Sequence, residues 1–114
     1  MTEENKLYIL WTNGSALTFK KMVSMYAYNS KKNNWWNNIT IIIWGEPSKL
    51  VAEDEEVQIH IKKLIESGIM ISACKACADE LEVSDHFKEL GIEVKYWGIP
   101  LTEVIKSKKN LITI

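Results

Sequence analysis

The chain has 114 residues, of which 46% are hydrophobic and 25% charged, and its formal net charge is -1. That length sustains one domain over residues 1–114, able to bury roughly two-thirds of its unfolded surface, and leaves no room for a second. Nothing in the near-neutral balance favours nucleic acid or an anionic membrane as a partner, and neither is expected.

Lys6 to Trp11 reads as a first strand, apolar from Leu7 onward, broken by Thr12-Asn13-Gly14. Ser15 is placed to cap a helix. Phe19, Met22, Val23, Tyr26 and Ala27 recur at helical spacing and form its apolar face. The Asn- and Lys-rich stretch from Asn29 to Asn38, with Trp35-Trp36 inside it, reads as a loop.

Ile39 to Trp44 is a second strand, and its run Ile41-Ile42-Ile43 suits a sheet covered on both faces. Gly45-Glu46-Pro47 ends it, and a short helical turn is expected over Ser48 to Val51. A helix follows from Asp54 to Glu66, with Val57, Ile61, Leu64 and Ile65 inward and Gly68 just past its end. Ile69 to Ala73 is a third strand, and Lys75 to Leu81 a short helix. Ser84 caps another through Leu90. Ile92 to Trp97 is a fourth strand, Pro100 opens a last helix to Lys106, and Leu111 to Ile114 is a fifth strand.

Strands alternating with helices predict an α/β fold: a parallel sheet with helices packed on both faces. Ligands of such sheets bind outside the carboxyl ends of the strands. Those ends carry Trp11, Thr12, Asn13 and Gly14; Trp44, Gly45 and Glu46; Cys74 and Cys77; Tyr96, Trp97 and Gly98. One aromatic-walled pocket built from Trp11, Trp44 and Trp97 around the thiols is therefore expected. The alternative for the tryptophans is to close the end of the core, each with its indole N–H on a polar partner.

Both cysteines of the chain lie in Cys74-Lys75-Ala76-Cys77. A thiol where a strand gives way to a helix meets free amides and the positive end of a helix dipole, which favour the reactive thiolate. Cys74 is the candidate nucleophile, with Lys75 adding positive charge. Cys77, three residues on, is positioned to resolve an adduct on it. The competing reading is two inert, buried thiols. A zinc site would need His60 or His86 at paired spacing, which they lack, so no metal and no cofactor are expected. Asn13-Gly14-Ser15 offers backbone amides to an anion, but the glycine-rich phosphate fingerprints are absent. The 14 basic residues are all Lys, so no guanidinium fork is available for phosphate or carboxylate.

No secretory signal is read: the first apolar run is short and meets Asn13-Gly14. No segment reaches the length of a membrane span. A cytoplasmic location is expected, where a close cysteine pair points to chemistry rather than to a structural staple.

The stretch from Gly68 through Cys74-Lys75-Ala76-Cys77-Ala78, then Leu90-Gly91-Ile92-Glu93-Val94 and Gly98-Ile99-Pro100-Leu101-Thr102-Glu103, resembles the DsrE/DsrF-like family of small sulfur-relay proteins. The resemblance implies a three-layer α/β/α sandwich with a five-stranded parallel sheet, and assembly into homo- or hetero-oligomers. It implies sulfur donor and acceptor proteins as partners, and sulfane sulfur carried as a persulfide at the position of Cys74. Cys77 lies outside the common pattern of the relay subunits. Two other functions stay open: a CxxC thiol–disulfide redox protein, and a non-enzymatic oligomeric module that binds a small molecule at the strand ends.

Overall fold

The computed structural model describes residues 5–114. Five strands form one sheet: β1 Lys6–Trp11, β2 Asn38–Ile43, β3 Met70–Cys74, β4 Glu93–Lys95 and β5 Asn110–Thr113. All neighbours pair in parallel, in the order β4-β3-β2-β1-β5. From β1 to β4 the chain steps one way across the sheet, then returns past β1 to add β5. Right-handed crossovers put the first three connections on one face and the last on the other.

The two cores bear this out. Leu7, Ile9 and Trp11 of β1 and Ile39, Ile41 and Ile43 of β2 pack under the helices of the first three connections. The residues between them, Tyr8 and Ile42, pack with Trp97 and Val104 on the opposite face. The period of two along each strand thus feeds two layers, and the α/β/α sandwich is the result.

The first connection is one helical rod with three parts: α1 Ala16–Thr18, a π-helical segment Phe19–Ser24, and α2 Met25–Lys32. Ser15 caps it as expected, its hydroxyl accepting from the Thr18 N–H at 3.1 Å. The π segment changes the buried face. A wider turn, closed by i→i+5 bonds, carries residue i+3 outward and i+5 inward. So Met22 is exposed and Ser24 is buried, contrary to a uniform helical period.

The rod also runs into the stretch expected to be loop. Asn33 ends it and Asn34 takes φ 59°, while Trp35 N–H reaches Ser30 O and Asn34 N–H reaches Lys31 O. This is a Schellman stop made by Asn in place of Gly.

The second connection has two helices, α3 Glu46–Glu53 and α4 Glu55–Glu66. Asp54 caps α4 through its side chain, and Gly68 at φ 95° ends it with the same Schellman pairing as Asn34. The third holds α5 Lys75–Glu80 and α6 Ser84–Glu89. Val83, rather than Ser84, occupies the cap position of α6, because the Ser84 hydroxyl donates to Asp79 Oδ1. The last connection is α7 Gly98–Lys106. β4 is shorter than expected, since Trp97 has already turned onto the sheet face at the start of α7.

Candidate thiol site at the carboxyl edge

Cys74 is the last residue of β3, paired with Lys95 across the sheet, and it stands at the cap position of α5. Its side chain makes no capping hydrogen bond, and the residue is only 5% exposed. Cys77 sits one turn along α5, half-buried, and near enough to Cys74 for that thiol to raise its pKa.

The amide donor at this site comes from across the sheet. The Gly45 backbone, in the turn between β2 and α3, is near enough to Cys77 to favour its thiolate. Gly45 holds φ 82°, a conformation that costs a residue with a Cβ. Burial pushes the Cys77 thiol above its ordinary range. The Gly45 N–H pulls it down, and Cys74 and Glu80 push it up again, so the net direction is upward. Lys75 does not stand free beside the sulfur. Its ammonium pairs with Asp79 at 2.7 Å and lies 5.5 Å from the centre of the Tyr96 ring.

The expected single aromatic pocket does not form, because side chains alternate across the sheet. Trp11 belongs to the helix-rich face, fully buried, stacked on Phe19 at 4.6 Å and donating its indole N–H to Asn13 O at 2.8 Å. Trp44 and Trp97 lie on the other face. The Trp97 indole donates to Ser72 Oγ at 2.7 Å, and Ser72 in turn donates to Glu93 Oε1 at 2.7 Å. Lys95 lies 4.7 Å from the Trp97 ring centre and 3.7 Å from Glu93. Gly98 opens α7 beside this group and accepts from the Thr102 hydroxyl through its carbonyl.

Asn13 and Gly14 do share a hollow with Glu46, a shallow one of about 520 Å3 that also meets Lys49 and Glu53. The Ser15 N–H there is already engaged, donating to Asn13 Oδ1. Two glutamates against one lysine make it unfit for an anion. Gly14 packs closely on Glu46: a Cβ there would lie 3.0 Å from Glu46 Cβ, and the neighbour would have to give by a few tenths of an ångström.

His60 donates through Nδ1 to the Glu56 carbonyl at 2.9 Å and meets the edge of Phe19. Among the described residues, no group of three or more His, Cys, Asp or Glu side chains is arranged to hold a metal ion. In the Trp pair, Trp36 folds onto the core and donates to the Tyr26 hydroxyl, while Trp35 is exposed.

No model of a known protein family matches the chain, and no curated protein does. Among solved structures it matches a conserved protein of unknown function from Bacteroides thetaiotaomicron. The two share 45% identity and superpose with a TM-score of 0.97, over 100% of this chain and 98% of the other. The chain belongs to the same family as that protein. The five-stranded parallel architecture is therefore one that a solved relative adopts along its whole length.

Sequence reasoning places Gly45 at this edge but assigns no role to it or to Ser72. Ser72 interrupts the apolar run from Ile69 to Ala73, and a hydroxyl buried in a strand calls for a partner. Gly45 follows an unbroken apolar strand and precedes Glu-Pro, the signature of a turn needing positive φ. Among the described residues, no helix is long and apolar enough to cross a membrane.

Proposed function

We propose that this protein carries sulfane sulfur on the Cys74–Cys77 pair and passes it to an acceptor thiol. The observation that carries the reading is a half-buried free thiol one helical turn from a buried one, where β3 gives way to α5. The resemblance of the Gly68–Ala78 stretch to small sulfur-relay proteins supports it, and with it the expectation of oligomers and of donor and acceptor proteins.

The difference in exposure supports the following order of events. Cys77, the more accessible thiol, loses its proton and attacks the outer sulfur of a donor persulfide. The donor leaves as a thiol, and Cys77 becomes a persulfide. The Cys74 thiolate then attacks that outer sulfur. The sulfur moves to Cys74 and Cys77 is restored as a thiol. Burial at Cys74 keeps the carried sulfur from solvent thiols until an acceptor thiolate takes it. The Gly45 amide stabilises negative charge on Cys77 during both exchanges.

Two free thiols one helical turn apart also suit a disulfide, so a thiol–disulfide redox protein is the second reading. The two are separated by offering sulfur-loaded protein to a small thiol. A carrier releases persulfide to that thiol; Cys77→Ser prevents loading from a bulky donor, and Cys74→Ser loads but loses its sulfur quickly. Protein that forms only a Cys74–Cys77 disulfide and never transfers sulfur is a redox protein, and the carrier reading falls.

A further inference from the structure

The π-helical segment of the first rod packs beside α4, and a groove of about 640 Å3 opens between the two. Its volume falls within the range of small-molecule sites, about 300–1,000 Å3. The ends of both helices belong to it, through Asn29 and Ser67. Crossover helices run opposite to the strands they join, so those ends stand toward the amino edge of the sheet, away from the cysteines. The sulfur chemistry makes no use of this groove.

The floor of the groove is a hydroxyl without a bond. The π segment buries Val23 and Ser24 in succession, and π turns inside helices frequently mark functional positions. Ser24 is 6% exposed, and its hydroxyl has no hydrogen-bond partner among the described residues. The sealed hydroxyls without partners are those of Ser30 and Ser48, so the Ser24 oxygen still opens into the groove that it lines. A polar group this deep calls for a partner. On the rod, Met25 and Tyr28 stand half-exposed, one turn apart, and form an apolar wall. On α4, Lys63 and Glu66 stand one turn apart, and neither forms an ion pair with the other or with any described residue. The remaining titratable groups are engaged: Lys20 pairs with Glu56, and His60 holds its Nδ1 on the Glu56 carbonyl.

We propose that this groove binds a small zwitterion with a large apolar side chain, a free α-amino acid of the phenylalanine or leucine type. Lys63 takes the carboxylate and Glu66 the ammonium. Neighbours three apart on a helix stand about 5–6 Å from each other at Cβ, a spacing that lets two long side chains converge on one headgroup. Ser24 supplies a hydrogen bond to that headgroup. The apolar side chain of the ligand covers Met25 and Tyr28, and an aromatic ring there gains the thioether as a neighbour. A plain anion would leave Glu66 facing it, and a plain cation would leave Lys63, so the two together select a ligand that carries both charges. The site is independent of the carrier reading.

The test titrates the intact, reduced chain with L-phenylalanine, 3-phenylpropionate (no ammonium) and phenethylamine (no carboxylate), followed by calorimetry and by amide NMR shifts. Phenylalanine should bind with a single-site isotherm, about threefold or more tighter than either analogue. The shifts should centre on Ser24, Tyr28 and Lys63. Lys63→Gln should abolish the advantage of phenylalanine over phenethylamine, and Glu66→Gln its advantage over 3-phenylpropionate. Ser24→Ala should weaken binding about threefold without lowering the urea midpoint, since its hydroxyl has no partner to lose. A purely structural serine would do the reverse. Lys106→Gln, on α7, should change nothing. No saturation by any probe up to about 10 mM, equal affinities for the three, or affinities indifferent to Lys63→Gln, Glu66→Gln and Ser24→Ala would overturn the inference. Sulfur loading at the cysteines is measured separately and is untouched by any of these results.

Discussion

The indole N–H of Trp97 donates to the hydroxyl of Ser72 at 2.7 Å, inside the protein. Ser72 lies on β3 two residues before Cys74, and Trp97 begins α7, so this bond ties the lone helix of one face to the strand that delivers the thiols. Ser72→Ala leaves a buried indole donor without its partner and should cost about 1–3 kcal/mol. Trp97→Phe removes the donor as well, so the double variant should be less destabilised than the two single losses added together. Urea midpoints of the four proteins measure this.

Gly45 has open space where a Cβ would go, so its substitution is a matter of backbone alone. At φ 82° and ψ -132°, a region essentially only glycine occupies, Gly45→Ala should cost about 1–3 kcal/mol. Relaxation of the turn would also move the amide off Cys77 and slow its alkylation at a given pH. An Ala variant as stable as wild type, with an unchanged alkylation profile, would show that neither the strain nor the amide matters.

The direction of the Cys77 shift fixes a pH dependence. Its folded-state pKa is raised, with burial the largest cause. The folded chain therefore keeps a proton that the unfolded chain has lost, and stability falls as pH rises through that window. The contribution is complete below about pH 8.5, the unfolded value, and disappears as pH climbs past the folded one. Wild type should lose more stability than Cys77→Ala over this range, since other groups titrate alike in both. Parallel stability curves for the two proteins would contradict the burial of this thiol.

Phe19 is fully buried against Trp11, with ring centres 4.6 Å apart. Phe19→Ala should cost about 3–5 kcal/mol, by loss of transfer energy and the cavity left behind. Thermal unfolding gives the measure. A small loss would mean that the π segment collapses into the space.

Periodicity carried most of the architecture. The first strand, the Ser15 cap and the Gly68 stop stand where local chemistry puts them, because each depends on neighbours in the chain. Met22 and Ser24 exchange places because a π turn is set by packing against α4, and no residue type announces it. Asn34 ends α2 by adopting positive φ, a role that composition alone assigns to a loop. The three tryptophans separate because alternation along a strand sends Trp11 one way and Trp44 the other. That parity was legible in the residue numbers, whereas the return of α7 over the second face follows from strand order, which only tertiary pairing decides. The thiol pair was legible as a motif; the amide from Gly45 was not, since it arrives from a different strand.

The central claim is that the cysteine pair accepts sulfane sulfur, and intact mass spectrometry tests it most directly. Reduced protein exposed to a persulfide donor should gain about 32 Da, reversible by thiols. The gain should map to Cys74 in wild type and to Cys77 in Cys74→Ser. Protein that stays at its reduced mass, or loses only the two hydrogens of a disulfide, under conditions that load a known persulfide carrier would contradict the account.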